Sequence, residues 1–159
     1  MNEHAHPLEV TMDFIKRINE GDVNALCELM TEGHVFQDAL GKRFIGRETM
    51  RQGWTNYLKI VADYRVHADE FFHANERIAI FGTASGRYVG PQGPSMEAGT
   101  GAPVHAKAEH DRDLYAIGSN GFWEVPAAWL AMVQHGKIAE WRVYADNQPL
   151  RKLMGDAMP

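Results

Sequence analysis

Apolar positions in the first sixty residues recur at helical spacing, and from Tyr64 onward they alternate. Leu8, Thr11, Met12, Ile15 and Ile18 step round one helical face. Pro7 suits an early helical position and Gly21 a C-cap. Asp22 can cap a second short helix carrying Leu26, Leu29 and Met30. His34–Asp38 then reads as a brief strand closed by Gly41, and after Gly46 the residues Met50, Trp54, Tyr57 and Val61 build a bulky helical stripe. Period-two alternation predicts strands over 65–73 and 77–89 around a turn at Ala74-Asn75-Glu76, and over 123–134 and 137–145 around His135-Gly136. A short helix is expected from Pro149 to Met154. Three helices followed by a long antiparallel sheet is an α+β order.

Between Gly90 and Gly121 this regularity stops. Gly90-Pro91-Gln92-Gly93-Pro94, Gly99, Gly101, Gly118 and Gly121 punctuate a segment with little periodicity, too long for an ordinary connection. It is either a lid over a site or an exposed excursion. Gly90-Pro91-Gln92-Gly93 is a turn and not a phosphate loop, because no Lys-Ser/Thr pair or helix start follows it. His105 and His110, with Glu109 and Asp111, have the wrong spacing for a helical metal site, and no metal or other cofactor is expected.

Composition narrows the choice of partners. The 159 residues make one domain, 1–159, with 45% apolar and 23% charged residues, an ordinary globular balance. A net charge of −5 is the wrong sign for a nucleic-acid partner. No window approaches the ~18 apolar residues of a membrane span. The amino terminus carries neither a basic nor an apolar leader region, so a cytoplasmic location is expected. The single Cys27 excludes an internal disulfide and a Cys-rich zinc site, and its position on a short helix fits the core.

Particular residues add a family likeness. Ile18-Asn19-Glu20-Gly21-Asp22, Val35-Phe36-Gln37-Asp38 with Gly46-Arg47-Glu48, and above all the hairpin from Gly136 to Asp146 resemble the NTF2-like superfamily, in its SnoaL-like and ketosteroid-isomerase-like branch. The resemblance covers the chain outside about 90–121. It implies a cone: a curled mixed sheet wrapped by three N-terminal helices around an apolar pocket, dimerised through the outer sheet face. Ile78, Ile80, Met132 and Tyr144 are expected on that outer face, too apolar to be left in water.

Fold does not give function in a superfamily that mixes enzymes with non-enzymes, so the site is read by residue. Asp38 follows Val35 and Phe36 at a strand end, facing the aromatic helix stripe. Apolar surroundings disfavour an ionised carboxylate and make it a better base. By resemblance to ketosteroid isomerases this position is the general base; the plainer reading is a carboxylate capping the turn at Gly41. The same resemblance implies a Tyr and a protonated acid holding an enolate oxygen, but Phe14 and Trp129 or Ala128 stand there. That disfavours a steroid isomerase, unless Trp129 offers its indole N–H.

The limonene-epoxide-hydrolase type shares the Gly-Lys-Ile…Trp-Arg-x-Tyr hairpin but needs an Asp–Arg–Asp relay. Here Val143 replaces one Asp, Gly82 and Ala84 stand where the Arg and the other Asp are expected, and Phe36 and Asp38 replace the Tyr and the Asn that would position water. The Asp111-Arg112-Asp113 triplet substitutes only if the 90–121 segment folds back as a strand. Asp146 matches the strand on which some polyketide cyclases carry their base; a turn-forming role is the simpler alternative. Alternation places Val125, Ala127 and Trp129 on one face and Trp141, Val143 and Ala145 on another. By family geometry they meet Ile15, Ile18, Phe36, Trp54 and Tyr57 around a flat pocket. The expected activity is cofactor-free acid/base chemistry on a small hydrophobic carbonyl compound; the alternative is a non-catalytic ligand-binding or dimerisation module.

Overall fold

The computed structural model describes residues 5–90, 116–117 and 120–155. Helix α1 spans Pro7–Glu20 and α2 Val23–Glu28, followed by strands β1 (Met30–Gln37) and β2 (Arg43–Ile45), helix α3 (Arg47–Ile60), and strands β3 (Val61–Ala74), β4 (Arg77–Tyr88), β5 (Ala116–Ile117), β6 (Phe122–Gln134) and β7 (Lys137–Ala145). A last helix, α4, covers Gln148–Leu153. The sheet runs β2-β1-β7-β6-β4-β3, with β5 added beside β6. Every described pair is antiparallel except β1 with β7, so the sheet is mixed.

The Asn19-Glu20-Gly21-Asp22 turn has a physical account. Asn19 donates to the carbonyl of Val66 at 3.0 Å and accepts from its amide at 2.8 Å, fastening the end of α1 to β3. Gly21 takes the left-handed conformation (φ 70°) that closes a helix, and the Asp22 carboxylate accepts from the Ala25 amide to start α2. Four residues thus set both helices and one strand.

Boundaries differ from the sequence reading where a strand partner overrides local pattern. Met30 opens β1 instead of continuing α2, because it pairs with Ile138 of β7. Val61 ends the aromatic stripe as the first residue of β3, pairing with Tyr88. The buried stripe of α1 runs through Val10, Thr11, Phe14, Ile15 and Ile18, leaving Met12 exposed.

One face assignment is corrected. Ile78 and Ile80 are fully buried and point into the core; β4 alternates so that they share the inner face with Ala84 and Tyr88. The outer face of the sheet is apolar through other residues: Phe72 and Phe81 are exposed and stack edge-to-face at 5.7 Å, Tyr144 is exposed, and Met132 is half-buried. Gly82, beside Phe81, is obligatory. A Cβ there would stand 1.8 Å from the His67 carbonyl oxygen, where β3 bulges between Ala68 and Glu70.

Candidate functional site

The inner surface of the sheet and α3, closed at one end by α4, enclose a cavity of about 470 Å³. Of the residues expected to line it, Phe36, Trp54, Tyr57, Val125, Trp141, Val143 and Ala145 do so, as does Asp38. Ile15, Ile18, Ala127 and Trp129 do not. The two isoleucines are buried on the face of α1 turned toward the sheet, and Trp129 stacks on Trp141 at 6.5 Å in the packed core. Ala127 is buried on β6 between Ala145 and Gly82 and does not reach the lining.

Tyr64 and Trp123, with Phe44, Ala84, Ile60 and Leu150, line the cavity without having been expected to. Trp123 shares the alternation of Val125 and was findable from it. Tyr64 was not, because the side-chain period of β3 is broken just before it. Asp63 adopts φ 55° and the β3–β4 register slips between Ala62 and Arg65.

The aromatic wall is braced by edge contacts. Trp54 meets Tyr57 at 6.2 Å and 86° and lies 6.1 Å from Tyr64. Tyr57 and Tyr64 stand 5.3 Å apart at 86°, and Trp123 lies 6.1 Å beyond Tyr64. Such T-shaped pairs fix ring orientation beyond what burial alone does. Burial pushes both tyrosine hydroxyls above the ordinary value of 10, with Tyr64 adding to the effect on Tyr57. Both are therefore neutral phenols at physiological pH. The Trp129 indole N–H is directed at the Tyr64 oxygen, which opposes the rise, but lies outside hydrogen-bonding geometry.

Asp38 is the one carboxylate on this lining among the described residues. It sits just beyond β1, half-buried, and its Oδ1 accepts the amides of Leu40 and Lys42, both at 2.9 Å. The turn-capping role is thus real. It uses one carboxylate oxygen; Oδ2 takes no hydrogen bond from the described residues. Asp146 is exposed, lies off the cavity lining, and accepts the Gln148 amide at 2.9 Å at the start of α4. It forms a turn.

His34 occupies the core beneath α1, its Nδ1 2.8 Å from the Ile138 carbonyl and its Nε2 buried without a hydrogen-bond partner among the described residues. Burial lowers its pKa from the ordinary 6.5. Among the described residues no group of three His, Cys, Asp or Glu could hold a metal ion, and no helix is long and apolar enough to cross a membrane. His105, Glu109, His110 and the Asp111-Arg112-Asp113 triplet lie outside the described residues, as does most of 90–121.

A mixed curled sheet packed by helices around an apolar, aromatic-walled cavity defines the NTF2-like fold. A family model of the SnoaL-like domain matches residues 12–141, and the chain belongs to that family. No curated protein sequence matches it significantly. Among solved structures it is similar to a candidate isomerase from Bacillus subtilis (14% identity, TM-score 0.69, 99% of each chain covered). It is also similar to a candidate SnoaL-like polyketide cyclase from Shewanella denitrificans (14% identity, TM-score 0.68), covering 94% of this chain and 97% of that one. A protein of ketosteroid-isomerase-like fold from Catenulispora acidiphila, solved in complex with trimethylamine, shares 17% identity at TM-score 0.68, with 95% and 98% covered. At these identities the likeness is one of fold.

Proposed function

We propose that the chain is a SnoaL-like enzyme that performs cofactor-free acid/base chemistry, of isomerase, cyclase or lyase type, on a small hydrophobic carbonyl compound held in this cavity. One observation carries the reading: Asp38 brings a carboxylate to a mainly aromatic and aliphatic lining, with Oδ1 tied to the turn and Oδ2 taking no hydrogen bond from the described residues. The turn bonds hold the group in place, and the second oxygen takes the proton. A carbanion next to a carbonyl delocalises onto oxygen, so a positioned carboxylate suffices to move protons between carbons.

The test needs no knowledge of the natural substrate. α-Tetralone, a hydrophobic enolisable ketone, is incubated in D2O with the protein, and exchange of its α-protons is followed by NMR. Exchange well above buffer is expected, falling about a hundredfold or more in Asp38→Asn. Exchange at the buffer rate, or unchanged in the variant, favours the second reading: a non-catalytic module that binds an apolar ligand, in which Asp38 serves the turn alone. The outer-face residues Phe72, Phe81 and Tyr144 are proposed as the contact with a second copy of the chain. Sedimentation at micromolar concentration giving a monomer would dismiss the dimer.

A further inference from the structure

We infer that Tyr57 and Tyr64 form a paired hydrogen-bond donor site for the carbonyl oxygen of the ligand, taking the place of the donors that Phe14 and Trp129 cannot supply. The inference rests on the reading of the ligand as a hydrophobic carbonyl compound.

The backbone is arranged to bring the two rings together. Tyr57 comes from the last turn of α3 and Tyr64 from the start of β3. In a regular strand, Val61 facing inward would be followed inward by Asp63 and Arg65. The observed inward residues are Val61, Tyr64 and Val66. Asp63, at φ 55°, is the extra residue that resets the alternation. A left-handed residue other than glycine costs about 1–2 kcal/mol, and Asp is among the types that tolerate it. Bulges of this kind re-aim a side chain. Here the side chain re-aimed is Tyr64, into the cavity and 5.3 Å from Tyr57.

The polarity of this wall is one-sided. The buried indole N–H groups of Trp54 and Trp123 lack partners among the described residues, and the Trp129 indole N–H beside the Tyr64 oxygen can only donate, which leaves the Tyr64 hydroxyl proton to be given to a ligand. All can donate. A hydrocarbon ligand would leave these donors unsatisfied, whereas a carbonyl oxygen accepts from two at once. The high phenol pKa values keep both protons in place, so the pair can bind a ketone and stabilise negative charge developing on its oxygen without being ionised.

The test compares 2-acetonaphthone with 2-ethylnaphthalene, which have nearly the same shape and differ in the oxygen. Binding is followed by quenching of tryptophan fluorescence. The wild type is expected to bind the ketone about tenfold or more tightly than the hydrocarbon, the equivalent of about 1.4 kcal/mol. Tyr57→Phe and Tyr64→Phe should each shrink that preference and together abolish it, with hydrocarbon affinity within about twofold of wild type. The infrared band of ¹³C-labelled ketone should move to lower wavenumber on binding, and move back in the double variant. Equal wild-type affinity for both ligands, or a double variant that keeps its preference, overturns the tyrosine pair while leaving the apolar pocket standing. Binding of neither ligand overturns both. Should Tyr64→Phe fail to fold, Tyr57→Phe and the wild-type infrared shift decide alone: no shift on binding overturns the inference.

Discussion

The same sheet backs two tryptophan-rich regions with opposite fates. Under α1, Trp129 and Trp141 stack, Phe14 meets Trp141 at 4.9 Å, and His34 and Ile18 fill the remaining space. Under α3, Trp54 and Trp123 stand with Tyr57 and Tyr64 around about 470 Å³ of open volume. Residue type does not distinguish these regions. The difference lies in what sits opposite: α1 presents Phe14, Ile15 and Ile18 to the sheet, whereas α3 buries fully only Met50 and Trp54. A pocket here is a core whose covering helix lacks the side chains to fill it.

The sharpest way to break that comparison is to truncate one tryptophan on each side. Trp129→Ala should cost about 3–5 kcal/mol in chemical denaturation, as for a ring removed from packed core. Trp123→Ala should cost clearly less, because its ring already borders open space, and should weaken binding of a naphthalene probe more. Equal losses would mean the two regions are packed alike. Trp141 borders both and should fall between them.

A smaller effect separates the two duties of Asp38. Asp38→Ala removes the acceptor of two turn amides and should cost about 1–2 kcal/mol, whereas Asp38→Asn keeps an oxygen at that position and should cost under about 1 kcal/mol. Both should lose proton exchange on α-tetralone. Thermal unfolding alongside the exchange assay reads the two duties separately, and a stable, inactive Asn variant assigns activity to Oδ2.

The smallest expected effect belongs to the packed side. Burial depresses the folded-state pKa of His34, so the unfolded chain binds a proton that the folded one refuses. Stability from this site is complete above the ordinary value of 6.5 and declines as pH falls below it toward the folded value. Between pH 7.5 and 6 the loss attributable to this site should be under about 1 kcal/mol. His34→Asn, which retains a donor toward the Ile138 carbonyl, should flatten that part of the profile. An unchanged acid slope in the variant would place the titrating group elsewhere.

Much of this was legible before any coordinates. The hairpin of β6 and β7 follows from strict alternation around His135-Gly136, and β7 matches its expected limits. With the family resemblance to say which face turns inward, alternation also placed Val125, Trp141, Val143 and Ala145, beside Phe36, on the surface that lines the cavity. It failed where a long-range contact sets the phase. Tyr64 was hidden by the Asp63 bulge, and the inward turn of Ile78 and Ile80 depends on the pairing of β4 with β6, which puts Ile80 opposite Trp129. Whether a buried tryptophan meets a helix or a void is settled by the facing element. Periodicity within one strand carries no trace of it, which is why Trp129 was expected in the pocket and lies in the packed core instead.

The parallel pairing of β1 with β7 has a consequence for how the chain is made. His34 and Ile138, joined by a hydrogen bond, are 104 positions apart, and among the described residues β7 is the one long partner of β1, since β2 is three residues long. During synthesis the apolar faces of α1 and β1 emerge early and wait for β7, which comes after β3, β4 and β6 have left the ribosome. Contacts of such sequence separation fold slowly. A nascent chain stalled before Ile138 would expose Phe14, Ile18 and Met30 to whatever binds greasy surface, so cellular yield should respond to chaperone supply and translation speed more than the folded protein's stability suggests.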